Sequence, residues 1–516
     1  MKRTTPPVSR NDPMIPGAPA GTTAMWKRVG TAMKEDISLY QWIYEYLLMM
    51  IQCGVVSHGE SLPPIWDLAD KFHVSIRPVQ QALAMLESQG WIAMDGKRFR
   101  VVARLTPEEI EQNYAVHFWS RRDAIRDIYA FESMVSADIL LAALQLLPEK
   151  DAKRLSRWED DPSNQDFIGS IYLLEEMLHP LGNPMLTGLL CDLALFQAYP
   201  FSARGGEKDG GFLCSCGSLL SLLGLCRQRN HAEARRQICQ HLDDNALRLY
   251  ASFHDSPQPP DVQPVSFEWQ VYRGRPRQVY SVVYKLIHQI ALGELPMGQR
   301  LPPINTLADQ FGVSRSTIRR ATGVMNSIGV TQPSGGKGTK PVPLTPEAVA
   351  NGLETYTMRT MMAKYLQALQ IFSLTAPGII RDTFLQIGEQ QLASAAANFR
   401  EIAASGRWNT ITELFCQLMI DASGNGVVRE LYARLLEQLV WGHPLSCLAG
   451  SPEKSRMYCH CADTLALYLE RRDLDAFCRE AKWHFDSLLL FGRALLLQHG
   501  AGGVKPIVLV EGLPKP

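Results

Sequence analysis

The 516-residue sequence contains no uninterrupted apolar run of about eighteen residues, the length that a membrane-spanning helix needs. Its first residues, MKRTTPPVSRNDPMIPGAPAGTT, are basic but lack the apolar stretch of a secretory signal peptide. The eleven cysteines are an odd number and lie scattered, which favours reduced thiols over a disulfide framework. We therefore expect a cytoplasmic protein with no membrane segment and with a disordered tail at residues 1–35.

Signatures of the common enzyme classes are also missing. The sequence has no phosphate-binding glycine loop, no G-x-S-x-G, no H-E-x-x-H and no pair of carboxylates in a convincing frame. We predict that the protein is not an enzyme and uses no cofactor.

What the sequence does contain is one long repeat. LPPIWDLADKFHVSIRPVQQA begins at Leu62, and LPPINTLADQFGVSRSTIRRA begins 239 positions later, at Leu301. The same offset holds without a gap over some seventy residues, from Leu47 and Leu286 to the LTPE motifs. A unit of roughly 240 residues is far longer than a solenoid repeat. The pattern therefore predicts a tandem duplication of whole domains.

Each unit opens with a compact segment. In the second unit, apolar residues recur at helical spacing at Val279, Val282, Leu286 and Ile290, which predicts a first helix. Two short helices joined by a tight turn follow, and Ser314 is a natural N-cap for the second of them. An extended stretch then leads into the glycine-rich SGGKGTKP. The order predicts a helix-turn-helix followed by a wing.

The remainder of each unit is rich in Leu, Ala, Gln, Glu and Arg, with the period of amphipathic helices. The fold class predicted is mainly α, with two winged helix-turn-helix domains, each followed by an all-helical bundle. The proline-rich DSPQPPDVQPVS separates the units as a semi-extended linker. The predicted domains after the tail are a first winged head at 36–104, a first helical domain at 105–254, the linker at 255–270, a second winged head at 271–343, a second helical domain at 344–500 and a C-terminal tail at 501–516.

The net charge of zero hides an asymmetry between the two heads. Residues 271–342 hold ten Lys or Arg and two Asp or Glu, a net of +8. The matching window, residues 32–103, holds six basic and eight acidic residues, a net of −2. A compact module at +8 has the electrostatic footprint of a phosphate-backbone binder. The net charge of the second head therefore predicts nucleic-acid binding, whereas the net charge of the first head does not.

The motif G-E-L-x-x-G-x-x-L-P-P … L-A-x-x-F-G-V-S-R-S-T-I-R-R-A … G-x-G-T, over residues 280–342, resembles the winged helix-turn-helix of the GntR family of bacterial transcription regulators. The resemblance implies that α-helical residues after Ser314 enter the DNA major groove, where arginine can bind guanine with two hydrogen bonds. Asn305 departs from the family, which usually has an arginine there. The implied DNA-binding residues of this head are Ser314, Arg315, Thr317, Arg319, Arg320, Lys337, Gly338 and Thr339.

The first head departs further from the family. It has Ile76 and Gln80 where the two arginines would stand, and Arg77 is shifted by one residue. Its wing has lost glycines but carries Arg98 and Arg100. We expect this head to keep its fold, and we predict Arg77, Gln80, Arg98 and Arg100 as its DNA-binding residues. Its binding to DNA is expected to be weak, altered or replaced by protein contact.

The helical domains resemble, more faintly, the effector domain of the FadR branch of the same family. The resemblance rests on a Gly-Asn turn in each domain, at Asn183 and Asn425, and on a later histidine, His241 or His484. It implies an effector pocket at Asn183 and His241 in the first domain and at Asn425 and His484 in the second. We predict a double-stranded DNA operator as the main partner and an unidentified small molecule as effector.

Many members of that branch hold a metal with an Asp and several His, but this sequence does not preserve the set. In the second domain Thr412, Cys416 and Ala462 replace three of the ligands, and only His484 matches. A single histidine is a poor metal site. We therefore predict no metal of the family type.

Three alternatives stay open from the sequence. Cys214 with Cys216, and Cys459 with Cys461, sit at similar places in the two units, and such pairs suit redox or metal sensing. The helical domains could instead bind a protein partner, with vestigial heads. Finally, the two units could pair within one chain as a pseudo-dimer, or two chains could form a homodimer.

Overall fold

The computed structural model describes residues 39–72, 74–159, 167–197, 219–255, 258–269, 271, 277–291, 293–335, 338–353, 355–442 and 452–498. The predicted fold class is confirmed: the described chain is mainly helical, with one two-stranded antiparallel sheet in each head. The elements of the first head are α1 (Leu39–Gln52), α2 (Ile65–Lys71), α3 (Ile76–Ser88), β1 (Ile92–Asp95) and β2 (Arg98–Val101). The first helical domain follows with α4 (Pro107–Leu146), α5 (Glu149–Glu159), α6 (Phe167–Leu178), α7 (Pro184–Gln197), α8 (Leu219–Arg227) and α9 (His231–Asp255).

The second unit repeats this order. Its head contains α10 (Arg277–Ala291), α11 (Ile304–Phe311), α12 (Arg315–Ser327), β3 (Thr331–Pro333) and β4 (Thr339–Pro341). Its helical domain contains α13 (Pro346–Leu353), α14 (Tyr356–Gln386), α15 (Glu389–Ser405), α16 (Ile411–Ala422), α17 (Gly426–Leu439), α18 (Pro452–Arg471) and α19 (Leu474–Gln498).

The backbones of the two heads repeat at the sequence offset. Three glycine pairs, each 239 positions apart, have a positive φ between 74° and 85°: Gly54 and Gly293, Gly59 and Gly298, Gly90 and Gly329. Glycine occupies this left-handed region at little steric cost, so the turns at these positions have the same backbone shape in both heads. The tandem duplication predicted from the motifs is confirmed.

The helix that leaves each head differs between the units. In the first unit α4 is continuous over 40 residues, and Thr106 caps it in a reciprocal pair with Glu109. In the second unit the equivalent stretch is divided into α13 and α14, and Thr355 caps the new start by accepting a hydrogen bond from the amide of Met358. Gly352 lies just before the break, and glycine inside a helix costs about 1 kcal/mol relative to alanine. The second head is therefore connected through a broken helix and the first through an unbroken one.

The two helical domains pack against each other, with α4 of the first against α14 and α17 of the second. The closest approach is at Gly378, where an added Cβ would lie 2.0 Å from the backbone oxygen of Met134. Only glycine permits two helices to come this close, because any side chain would meet main-chain atoms that cannot rotate away.

The segment between the units lies along this interface. The amide of Val265 donates to the backbone oxygen of Ser120 on α4 at 2.7 Å. Phe267 packs edge-on against Phe196 of α7 with ring centroids 5.7 Å apart, and the amide of Trp269 donates to Glu430 of α17 at 3.2 Å. Phe267 and Trp269 are buried. Residues 265–269 thus contact both helical domains rather than acting as a bare spacer.

Two apolar cores result. One comprises the first head, the adjoining turns of α4 and Leu195 near the end of α7, and the other is continuous through both helical domains and the second head. Among the described helices no single one is long and apolar enough to cross a membrane, although the pair Pro107–Leu146 and Glu149–Trp158, bent by 119°, meets the length and composition test together.

Candidate nucleic-acid interface

The second helix of the helix-turn-helix in the second head begins at a well-formed cap. The hydroxyl of Ser314 accepts a hydrogen bond from the amide of Thr317 at 3.1 Å, which satisfies one of the amides that a helix start leaves unpaired. The same hydroxyl lies 2.7 Å from that of Ser316 and 2.9 Å from that of Thr317. Ser314 and Thr317 are thereby held at the positive end of α12, where backbone amides can also receive a phosphate.

Three arginines cover the outer face of α12. Arg315, Arg319 and Arg320 are exposed, whereas Ile318 and Ala321 are fully buried on the opposite face. No hydrogen bond or ion pair joins any of the three guanidinium groups to a residue in the described ranges. The buried face orients the helix, so its three cations point to solvent in the arrangement that a major-groove reader requires.

The wing of the second head is built by β3 and β4, which pair Thr331 with Pro341 and Pro333 with Thr339. The backbone oxygen of Thr339 also accepts the amide of Leu301 at 2.8 Å, so the wing is tied to the start of the helix-turn-helix. Gly338 has φ 103°, a conformation that requires glycine. Lys337, at the tip, lies outside the described residues.

The recognition helix of the first head starts differently. Ser75 occupies the N-cap of α3 but its side chain makes no cap hydrogen bond. Pro78 stands where Thr317 stands in the other head, and proline has no amide hydrogen to donate. Arg77 and Gln80 are both exposed on α3.

In the first wing, one of the two predicted contact residues is already engaged. The Nε of Arg100 donates to the carboxylate of Asp95 at 2.8 Å, and its guanidinium also donates to the backbone oxygen of Gly59. Arg98 is exposed at the turn between the strands. Arg100 therefore braces the wing, and Arg98 is the better placed of the two for an external contact.

The two asparagines predicted at the effector pocket have another role in the structure. Asn183 caps α7 by accepting the amide of Leu186 at 3.0 Å, and its amide group donates to the backbone oxygen of Gln367 and to the side chain of Gln370, both at 2.9 Å. Asn183 thus ties the first domain to α14 of the second.

Asn425 makes the reciprocal contact. Its side-chain oxygen accepts the amides of Val427 and Val428, and its amide group donates to the backbone oxygen of Asp127 on α4 at 2.7 Å. The carboxylate of Asp127 accepts the amide of Gly426 at 2.7 Å. Both asparagines are buried in the contact between the two domains, where their side chains form hydrogen bonds with protein atoms; an effector pocket at these residues stays a prediction.

His484 lies behind a cleft of the second helical domain. It is buried, its Nε2 lies 2.9 Å from the hydroxyl of Thr412, and burial lowers its pKa to about 3. Neutral His484 therefore orients Thr412, which lines the cleft, while His484 itself does not. His241 is buried at the equivalent place in the first domain.

The cleft opens to solvent, and its empty volume of about 590 Å³ includes part of that open space. The sequence alone did not point to its acidic group, Glu413, because a single glutamate within a helix has no distinguishing pattern. Burial raises the pKa of Glu413 to about 7. The lining residues are Tyr365, Trp408, Asn409, Thr412, Glu413, Leu439, Gly442, Leu488, Phe491 and Gly492.

The metal of the FadR branch does not fit these residues. Thr412 offers only a hydroxyl, Ala462 offers no donor, and burial raises the pKa of the Cys416 thiol well above its ordinary value. Within the described ranges no group of three or more His, Cys, Asp or Glu is arranged to hold a metal ion.

Cysteine sensing gains no support from the second C-x-C pair. Cys459 and Cys461 lie within α18, where residues two apart point to different sides of the helix. Burial raises the pKa of both thiols, which disfavours the thiolate form that reactive cysteines need. Cys214 and Cys216 lie outside the described residues.

Comparison with known proteins identifies the two heads. The family of bacterial regulatory proteins called gntR matches the chain twice, at residues 39–101 and 279–340. The HTH-type transcriptional regulator RmpR of Mycobacterium gastri is 34% identical over 140 residues, which are 27% of this chain and 44% of that protein. The chain thus matches less than half of this relative's length.

Among solved structures, a GntR protein of Streptococcus agalactiae overlays on 41% of this chain and 99% of its own, with 19% identity and a TM-score of 0.20. The E. coli protein McbR/YncC overlays on 42% of this chain and 100% of its own, with 15% identity and a TM-score of 0.22. Both heads of the chain, residues 39–101 and 279–340, match the gntR family of bacterial regulatory proteins.

Proposed function

We propose that the protein is a sequence-specific DNA-binding transcription regulator, that one chain presents both heads as an intramolecular pseudo-dimer, and that a ligand in the cleft of the second helical domain changes its DNA affinity. The observation that carries the proposal is the outer face of α12. Arg315, Arg319 and Arg320 are exposed there without a described partner, in a head with a net charge of +8.

The contacts between the helical domains support the pseudo-dimer. The cap of α7 donates to α14, and the cap of α17 donates to α4, so each unit contributes the same type of residue to its partner. Reciprocal contacts of this kind are typical of two-fold dimers between identical chains. Within one chain they bring together two heads that a shared covalent linker already holds near each other.

DNA binding is tested by fluorescence anisotropy on a duplex from the region upstream of the protein's own coding sequence, at two salt concentrations. We expect Arg315→Ala/Arg319→Ala to weaken binding of the specific duplex strongly, because each lost contact of an arginine with guanine removes about 1–3 kcal/mol of discrimination. Arg77→Ala/Arg98→Ala is the matched pair in the first head. If neither pair changes a salt-insensitive signal, the heads are vestigial and the protein is an adaptor.

Ligand control is supported by a direct contact between the wall of the cleft and the second head. Leu439 and Gly442 line the cleft, and Trp441 lies in the turn between them. Trp441 packs edge-on against Tyr280 of α10, with ring centroids 5.9 Å apart. The ammonium of Lys364 lies 5.8 Å from the centre of the same tyrosine ring. A ligand that displaces this turn therefore displaces the first helix of the head.

A cleft-filling substitution tests this coupling without knowledge of the ligand. Leu488 lines the cleft and is 7% exposed, whereas Leu490, on the same helix, is 51% exposed. We expect Leu488→Trp to change the DNA dissociation constant severalfold and Leu490→Trp to leave it unchanged. Adding Tyr280→Ala to Leu488→Trp should abolish the effect. Equal DNA affinities for Leu488→Trp and wild type would contradict the coupling.

A further inference from the structure

The recognition helices of the two heads share one register. Each has 13 residues, and three buried positions of one helix correspond to three of the other at the 239-residue offset. Val79 and Ile318 are both fully buried, as are Ala82 and Ala321. Residues at the same offset therefore occupy equivalent places on the outer faces of α3 and α12.

One turn into each helix, Gln80 of the first head occupies the position that Arg319 occupies in the second. Both residues are exposed, and neither side chain forms a hydrogen bond or ion pair with any residue that the structure describes. Their chemistry differs in what it can bind. The arginine fork offers two donors, which match O6 and N7 of guanine, whereas the glutamine amide offers one donor and one acceptor, which match N7 and N6 of adenine.

The first head is poorly suited to supply affinity. Its net charge is −2, and Asp67 stands on α2 where the second head has Thr306. In a helix-turn-helix this helix crosses the DNA backbone, so the carboxylate of Asp67 repels phosphate. A head of this kind needs a tether to reach DNA, and the second head together with the shared interface provides one.

We propose that the two heads divide the work: the second head supplies most of the affinity and prefers guanine through Arg319, and the first head adds a preference for adenine through Gln80. The operator is then asymmetric, with two unlike half-sites. This inference rests on the proposed function, since it concerns which bases a DNA-binding regulator reads. The replacement of arginine by Gln80 in the first recognition helix is then a change of base preference.

The test is selection of bound duplexes from a randomised library by the full-length protein, followed by sequencing. Wild type should recover a motif with two unlike half-sites. Gln80→Arg should replace adenine by guanine at one position of one half-site, with a preference of at least about fivefold. Arg319→Gln should make the converse change in the other half-site. Glu87→Gln, on the exposed last turn of α3, alters the charge of the first head by the same +1 and should leave the motif unchanged.

Two results would overturn the inference while leaving sequence-specific DNA binding intact. One is a wild-type motif that is palindromic or has a single half-site. The other is a motif that Gln80→Arg does not alter or that Glu87→Gln alters equally. Failure of every form of the protein to enrich any duplex would instead overturn the proposed function itself.

Discussion

Replacement of Gly378 by alanine should loosen the contact between the two helical domains. The added Cβ would lie 2.0 Å from the backbone oxygen of Met134 and 2.9 Å from its carbonyl carbon, well inside van der Waals contact. Main-chain atoms of α4 cannot rotate away, so the two helices must separate. Overpacking of this kind typically costs about 1–3 kcal/mol, and we place this case at the upper end because the obstacle is backbone. Alanine recovers roughly 1 kcal/mol through helix propensity, which leaves a net loss of about 2 kcal/mol.

Gly188→Ala is a matched control that should change the free energy of unfolding in the opposite direction. Gly188 lies in the middle of α7, and an added Cβ there would meet no atom within 4 Å. Gly188→Ala should therefore stabilise the protein by about 0.5–1 kcal/mol. The measurement is urea unfolding of both variants, followed by far-ultraviolet circular dichroism and by tryptophan fluorescence. A Gly378→Ala protein as stable as wild type would refute the close helix crossing.

Three further predictions follow from individual hydrogen bonds and buried charges. Ser314→Ala should cost about 1 kcal/mol in chemical unfolding, whereas Ser75→Ala should cost far less, because Ser75 makes no cap hydrogen bond and Pro78 offers no amide hydrogen; equal losses would contradict this account. Asn183→Asp should destabilise the protein even though aspartate is a good N-cap, because the new carboxylate faces two acceptors on α14; a neutral result by differential scanning calorimetry would mean that the cap alone matters. Burial raises the pKa of Glu132 to about 8, so the folded state retains a proton that the unfolded state releases above its ordinary pKa, and stability should fall as pH rises from about 4.5 to 8; Glu132→Gln should flatten this slope in melting curves between pH 5 and 9.

Much of the fold could be predicted from the sequence because its signals are local. The glycines at the turns, the spacing of apolar residues and the serine cap of α12 all act within a few residues. The exposure of Arg315 and Arg319 followed from the same helical period. These features describe each head separately, and the structure agrees with them.

The contacts between the two units could not be predicted from such local signals. Asn183 and Asn425 were predicted at a pocket by resemblance, although an asparagine before a helix is also a plain capping signal. Their donors reach Gln367 and Asp127, residues about 180 and 300 positions away in the chain, and no local pattern reports such a contact. Arg100 is predicted as a DNA contact from its place in the wing, and its bond to Asp95 depends on the pairing of β1 with β2.

The cleft and its link to the second head also depend on tertiary packing. Glu413 has a raised pKa only because neighbouring helices bury it, and a glutamate in a helical sequence is ordinarily exposed. The contact of Trp441 with Tyr280 joins two elements that are about 160 residues apart. Sequence reasoning could therefore place the heads but not the surface that connects one of them to the cleft.

The central claim is that one chain presents two DNA-reading heads. It is tested most directly by the mass of the specific complex in native mass spectrometry, with the duplex recovered by selection. The account predicts one 57.7 kDa chain per duplex, with both half-sites protected in a footprint of the same complex. Two chains per duplex, with only the half-sites of the second heads protected, would contradict it.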